Sequence, residues 1–234
     1  MAGILYIISA PSGSGKSTLV NELRRTVSNL EFSISYTTRA PRGSEQDGHE
    51  YHFVTREVFE EMVRRDKFLE HATVFGNYYG TGRHLQEDAA RRGNDLLLDI
   101  DVQGAAQVKT RHPQAVSIFV LPPSRQILEK RLRSRSQSEG VVNDEVISRR
   151  LRAAQVEIAN YPNYDYILVN DRLDESVDNL EAIILSERKN SAGGVMTQED
   201  RRLLELADHC RQLNQAASGK LDQILASFSS DVRG

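Results

Sequence analysis

Cysteine is almost missing from this 234-residue chain, where Cys210 stands alone. One thiol excludes an intrachain disulfide and any cysteine-built metal cluster. It also suits a reducing compartment, so the expected location is cytoplasmic. No apolar run approaches the length of a membrane span, and Met1-Ala2-Gly3 leads straight into a strand-like segment without a leader pattern. Neither a membrane partner nor secretion is expected. Charge of one sign is not in excess either: 27% of residues are charged and the formal net charge is −3. Without a polybasic tract there is no expectation of nucleic acid as a partner, and an anionic ligand must be held by local patches. Internal repeats and low-complexity tracts are absent. What is present is a chain with 39% hydrophobic residues, long enough to bury a core as one main domain with appended parts.

Four apolar runs, Ile4–Ser9, Leu96–Ile100, Val116–Leu121 and Tyr166–Val169, read as buried parallel strands with helical patterns between them. That alternation predicts an α/β fold: an open sheet with helices on both faces and ligands outside the carboxyl ends of its strands. Two stretches interrupt it. From Phe32 to about Gly82, the short segments Phe32–Thr38, Tyr51–Val54 and Phe68–Val74 carry β-branched and aromatic residues and read as a small mostly-β insertion. Inside it, Thr55 is placed to cap a helix whose Val58, Phe59, Met62 and Val63 share one face. From Arg131 to Arg152 the chain is rich in Arg and Ser, with Gly140 in a polar bridge before a helix beginning near Asp144, and it suits a mobile cover. Beyond Asn190 a hinge is expected at Ser191-Ala192-Gly193-Gly194. A charged helix from Thr197 to about Ala217 follows, separate from the nucleotide machinery and docked on the domain or on a second subunit as a homo-oligomer contact.

The first strand flows into Ala10-Pro11-Ser12-Gly13-Ser14-Gly15-Lys16-Ser17-Thr18 and then into a helix. Strand, glycine-rich loop and helix in that order make a phosphate loop. Its backbone N–H groups curl round phosphate oxygens, Lys16 reaches the β- and γ-phosphates, the Ser17 hydroxyl can bind Mg²⁺, and the helix dipole adds to the attraction. Ala10 stands where such loops usually open with glycine, so φ there must be negative. Arg39 and Arg42 then offer two guanidinium forks with Tyr51 nearby, a second phosphate clamp. Asp99 and Asp101 close the Leu96–Ile100 run. Strand alternation places them on one face at the ligand end, with Asp99 suited to ordering Mg²⁺ or its water shell.

These motifs together resemble the guanylate kinase family over about Gly3 to Arg188: Ser-x-Thr-Thr-Arg-x-Pro-Arg as Ser35 to Arg42, Asp-Gly-x-x-Tyr as Asp47 to Tyr51, Asn-x-Tyr-Gly-Thr as Asn77 to Thr81, and Asp-x-Asp-x-Gln-Gly as Asp99 to Gly104. The resemblance implies a P-loop NTPase-type core (1–31, 83–130, 153–189), a GMP-binding insertion (32–82), an Arg-rich lid (131–152) and a C-terminal helical extension (190–234). It implies that Arg39, Arg42, Tyr51 and Tyr79 hold the GMP phosphate, and that Ser35, Glu70, Thr81 and Asp101 read guanine. Carboxylates suit the N1–H and N2–H₂ donors of that base, which adenine lacks at the same edge.

The implied reaction is transfer of the γ-phosphate of MgATP to GMP, and to dGMP, giving ADP and GDP without a covalent intermediate or a catalytic base. Catalysis would rest on Lys16, Arg42 and the lid arginines Arg135 and Arg150. The lid is longer here than the family spacing, which leaves Arg131 and Arg133 open to share that work. Pro11 to Thr18 would hold ATP phosphates, and Asn170 and Asp171 resemble the family segment beside adenine. Two other readings were weighed, a binding module of the same fold and a P-loop kinase for another acceptor. The intact phosphate loop disfavours the first and the guanine-reading set disfavours the second.

Overall fold

The computed structural model describes residues 3–74, 76–138, 143–212 and 219–229. In chain order its elements are β1 (Leu5–Ser9), α1 (Lys16–Thr26), β2 (Leu30–Phe32), β3 (Tyr36–Thr37), β4 (His52–Phe53), α2 (Arg56–Arg64), β5 (Phe68–Val74), β6 (Asn77–Gly82), α3 (His84–Arg92), β7 (Asp95–Asp99), α4 (Val102–Arg111), β8 (Val116–Leu121), α5 (Arg125–Ser138), α6 (Asp144–Ile158), β9 (Tyr166–Val169), α7 (Leu173–Ala192), α8 (Gln198–His209) and α9 (Lys220–Ser229). A five-stranded sheet runs β2-β7-β1-β8-β9 and a four-stranded one β4-β3-β6-β5. The pairs β1/β7, β2/β7 and β8/β9 are parallel. Strands adjacent in the sheet are distant in sequence, as helical crossovers require.

The expected α/β sheet is therefore present, with one strand the sequence reading misassigned. Phe32 opens no insertion strand. It ends β2, pairing with Leu97 of β7, and the chain leaves the main sheet only after Ser33, whose N–H donates to Leu97 O at 3.0 Å.

By contacts the chain forms two units, Met1–Ile8 with Asn29–Ser117, and Ser9–Ser28 with Ile118–Gly234. In the first, Tyr6, Ile7, Ile8, Leu97 and Leu98 are fully buried. The smaller sheet packs Phe59 of α2 on Phe68, with ring centroids 4.5 Å apart. Thr55 caps α2 as expected, accepting from Val58 N at 3.3 Å. The shared apolar face is narrower than anticipated, because Val58 is 48% exposed and only Phe59 of the four is buried.

Helix α4 grips β5 through side chains one turn apart. Gln103 Nε2 donates to Thr73 O at 3.4 Å, Gln107 Nε2 to His71 O at 2.7 Å and Arg111 Nη1 to Leu69 O at 2.7 Å. Four helical residues rise about 6 Å and two strand residues about 6.7 Å, so the spacings nearly match.

In the second unit α1 packs on α7, α5 on α6 and α8 on α7. Helix α7 continues through Ala192, so Ser191 and Ala192 are helical and the break falls on Gly193 and Gly194, at φ 66° and 103°. The expected tail helix is α8, closed N-terminally by a capping box between Thr197 and Asp200 and ending at His209. Gly140, and the stretch 213–217 of the expected helix, lie outside the described residues.

The tail docks on its own unit, where it finishes the edge of β9. Cys210 O accepts from Ile167 N at 2.7 Å and Asp165 O from Gln212 N at 2.9 Å, and the Arg211 guanidinium lies 5.1 Å from the Tyr166 ring centroid. Burial pushes the Cys210 thiol up to about 12, which keeps it protonated and inert. Helix α9, absent from the sequence reading, buries Leu221, Ile224 and Phe228 and contacts α5 and α6. Its Ser227 Oγ accepts from Arg125 N at 3.1 Å, at the start of α5.

Phe228→Ala removes a side chain that is 3% exposed from the α5 and α6 contact. It is expected to cost about 3 kcal/mol in urea unfolding, read as a lower midpoint at unchanged slope.

Candidate functional site

Two sets of polar residues stand out, one in each unit. Strand β1 runs into the phosphate loop, which lies with α1 in the second unit. Positive φ falls on Gly13 and Gly15, both at 91°, while Ala10 stays outside that region as its side chain demands. A Cβ on Gly13 would lie 2.9 Å from Leu132 Cδ2 of α5, so the loop needs glycine there for contact as well as for conformation. Pro11 and Ser14 are buried, Ser12 exposed, and Lys16, Ser17 and Thr18 form the first turn of α1, the two hydroxyl residues exposed.

Asn170, just past β9, is 5% exposed. Its amide is engaged with the loop, Nδ2 donating to Ser14 O at 2.7 Å. Asp171 follows it, exposed, in a turn closed by its own N–H on Val169 O at 3.1 Å. Arg131 donates from Nη1 to Ser14 O at 3.1 Å and from Nη2 to Asn170 O at 3.0 Å. Burial lowers the pKa of its guanidinium, and the nearby Asp171 charge works the other way. Arg133 is tied elsewhere, to Asp144 at 2.6 Å and Glu129 at 2.9 Å. Arg135 is exposed on α5. Arg150, on α6, is half-buried, and among the described residues its Nη1 is buried without a hydrogen-bond partner.

In the first unit a register shift between Phe68 and Glu70, a β-bulge, sets Glu70 opposite Thr81 across β5 and β6. Glu70 is 2% exposed. Burial, with the Asp101 charge adding to it, pushes its carboxyl up to about 7 against hydrogen bonds from Thr81. Thr81 Oγ1 lies 3.0 Å from Ser35 Oγ, both buried. A Cβ on Gly104 would sit 2.4 Å from Glu70 Oε2, so the first turn of α4 is pressed against the carboxylate and tolerates only glycine.

Asp101 is close by but not on the strand. Strand β7 ends at Asp99, and Asp101 is the N-cap of α4, its Oδ1 accepting from Gly104 N at 2.8 Å and Oδ2 from Gln103 Nε2 at 3.1 Å. The two acids thus leave the chain from different elements, which corrects the single-face expectation. Asp99 itself ends β7, half-buried, its N–H on Ser33 Oγ at 3.3 Å.

The clamp holds a partner that sequence reasoning passed over. Arg39, 9% exposed, meets Glu45 in a fork, with Nη1 and Nη2 each 2.9 Å from a carboxylate oxygen. Glu45 Oε2 also accepts from Arg42 N at 2.7 Å. The acid six residues after Arg39 and three after Arg42 was the available signal. Burial opposes the Arg39 charge, but bonds to Glu45 and Tyr79 outweigh it and raise its pKa, while the fork on Arg39 holds Glu45 low. The Arg42 side chain is exposed. The Tyr51 and Tyr79 rings pack edge to face at 5.8 Å. Burial first and then the Asp99 charge push the Tyr51 phenol up to about 12, so it stays a neutral donor.

A carboxyl at about 7 when folded and near 4.3 when unfolded binds its proton more tightly in the native state, so stability falls as pH rises from about 4.5 through 7 and then levels. Glu70→Gln removes that penalty. The variant is expected to gain a few kcal/mol at most at pH 8 and nothing at pH 4, read by thermal unfolding at the two pH values.

Comparisons with known proteins agree on one family. The family model described as guanylate kinase matches residues 3–187. A protein of Koribacter versatilis (strain Ellin345) named guanylate kinase is 58% identical over 228 residues, 97% of each chain. The protein of that name from Escherichia coli (strain K12) is 48% identical over 188 residues, 80% of this chain and 89% of its own. The crystal structure of guanylate kinase from Anaplasma phagocytophilum superposes with a TM-score of 0.66 at 36% identity, covering 80% of this chain and 86% of that one. The chain, with its phosphate loop in one unit and its buried acid beside paired hydroxyls in the other, belongs to the guanylate kinase family.

Proposed function

We propose that the two sets of residues serve one reaction, transfer of the γ-phosphate of ATP to GMP and to dGMP. The observation that carries this reading is Glu70. A carboxylate 2% exposed, beside Thr81, Ser35 and Asp101, is an acceptor surface for a base edge bearing hydrogens. Guanine has that edge, and adenine would leave the acid unpaired.

The remaining donors of Arg39, with Arg42, Tyr51 and Tyr79, would hold the GMP phosphate, Glu45 keeping the Arg39 fork in plane. Pro11 to Thr18 would cradle the triphosphate on backbone N–H groups, with Lys16 at the β- and γ-phosphates. A phosphate monoester is anionic at neutral pH and attacks without a general base, so alignment and charge neutralisation do the work. Arg135 and Arg150, on α5 and α6, would gather charge on the transferred group as the lid (131–152) and the insertion (32–82) close and exclude water.

The donor set also fits Mg²⁺. Mg²⁺ takes oxygen ligands and is usually held by one or two protein groups together with substrate phosphates. The Ser17 hydroxyl and, through water, Asp99 would hold it. When bound, it neutralises charge on the β- and γ-phosphate oxygens. Among the described residues no helix is long and apolar enough to cross a membrane, and a cytoplasmic location is the accompanying proposal.

A coupled ADP-release assay with GMP, dGMP, AMP and UMP tests the reading. Turnover is expected with the guanine nucleotides alone, and equal turnover with AMP would overturn it. Ionised Glu70 offers guanine two charged acceptor oxygens, and protonation turns one of them into a donor facing a donor, so KM for GMP is expected to rise as pH falls below about 7, by up to about tenfold per pH unit. Arg150→Ala is expected to lower kcat about 10²- to 10³-fold with KM for GMP nearly unmoved; unchanged turnover would remove Arg150 from the reaction.

A further inference from the structure

Three hydrogen bonds around the Ser14 peptide form a closed ring that the reaction scheme does not use. Arg131 Nη1 and Asn170 Nδ2 converge on the same acceptor, Ser14 O, at 3.1 and 2.7 Å. Arg131 Nη2 closes the ring on Asn170 O at 3.0 Å. The ring has a rigid root, because Asn170 N donates to Leu121 O at 2.8 Å, at the end of β8. It is also tight: a Cβ on Gly15 would come 2.3 Å from Asn170 Nδ2.

We propose that Arg131 and Asn170 are positioning residues that preset the phosphate loop by holding the carbonyl of Ser14. In a trans peptide the C=O and N–H point in opposite directions, and no cis bond occurs among the described residues. Fixing Ser14 O against Arg131 and Asn170 therefore turns the Gly15 N–H the other way, to the side where successive backbone donors collect an anion. The peptide is flanked by Gly13 and Gly15, both at φ 91°, residues that change backbone conformation at little cost. Unbraced, it would sample orientations that present a carbonyl oxygen to the phosphates. Braced, the loop meets its ligand with that ordering already done.

The assignment gives Asn170 a role that ignores the base. One of its two amide hydrogens is committed to the loop, so its loss should be felt by any polyphosphate, with or without adenine. Arg131 contributes geometry as well as charge, since its fork spans two carbonyls that a single ammonium cannot bridge.

This inference rests on the reading of Pro11 to Thr18 as the triphosphate site, and calorimetry on the full chain separates the two. Wild type, Asn170→Ala and Arg131→Lys are titrated with inorganic tripolyphosphate, with ATP and with GMP. Asn170→Ala is expected to weaken tripolyphosphate and ATP by the same factor, about tenfold. Arg131→Lys, which keeps the charge, is expected to follow it, with GMP binding retained in both as the check on folding. If Asn170→Ala weakens ATP but not tripolyphosphate, the amide reads the base and the proposal is wrong. Unchanged affinity for both ligands in both variants also overturns it. If wild type binds GMP but neither ATP nor tripolyphosphate, the phosphate-site reading itself fails.

Discussion

Withdrawing a carboxylate from water is unfavourable unless the surroundings are arranged for it, and the smaller sheet with its neighbouring helix is arranged round Glu70. The bulge in β5 aims the side chain at Thr81, Gly104 makes room for its oxygens, and Asp101, by capping α4, brings a second negative charge near. Together they hold an acid poised near neutrality, whose unfavourable burial a hydrogen-bearing base edge would relieve. On the proposed reading, selectivity for the base and latent instability are two aspects of the same desolvated group.

The phosphate loop solves the opposite problem. An anion must be attracted by groups that are individually weak, so their directions matter more than their number. Glycine gives the loop its shape at Gly13 and Gly15 but no means of keeping it. Rigidity comes from elsewhere in the unit: Leu128 and Leu132 lie against Gly13, and the Arg131 and Asn170 donors hold Ser14 O. Helix α5, which carries Arg131, is in turn contacted by α9. The last helix of the chain is thus linked by packing to the loop near its beginning.

What could be read in advance follows from the range of each interaction. The phosphate loop was legible because strand, glycines, lysine and helix are consecutive, and the four long core strands because their apolar runs are continuous. Strand β2 was not, being three residues with a charged Glu31 in the middle, whose carboxylate pairs with Arg92 and Asn94 instead of breaking the strand. Asp101 was placed near its true position for an incomplete reason, since alternation assumes a strand that has already ended at Asp99. The Glu45 fork was spelled out locally yet passed over, because an acid beside two arginines reads as opposed to anion binding, whereas in the structure it orients the Arg39 guanidinium. The Ser14 brace was beyond reach: its acceptor is a backbone oxygen 156 residues from Asn170, and a sequence names side chains, not carbonyl directions.

The grip of α4 on β5 bears on how copies of this protein meet one another. Strand β5 ends the order β4-β3-β6-β5, a position where unpaired main-chain groups normally invite a foreign strand. Here Gln103, Gln107 and Arg111 already engage Thr73 O, His71 O and Leu69 O, and Gln107 Oε1 accepts from His71 N at 3.3 Å. A helix has been made to satisfy the rim of a sheet as a neighbouring strand would. The rim that carries Glu70 is thereby finished from within its own unit, and these main-chain groups are not left to template a foreign strand.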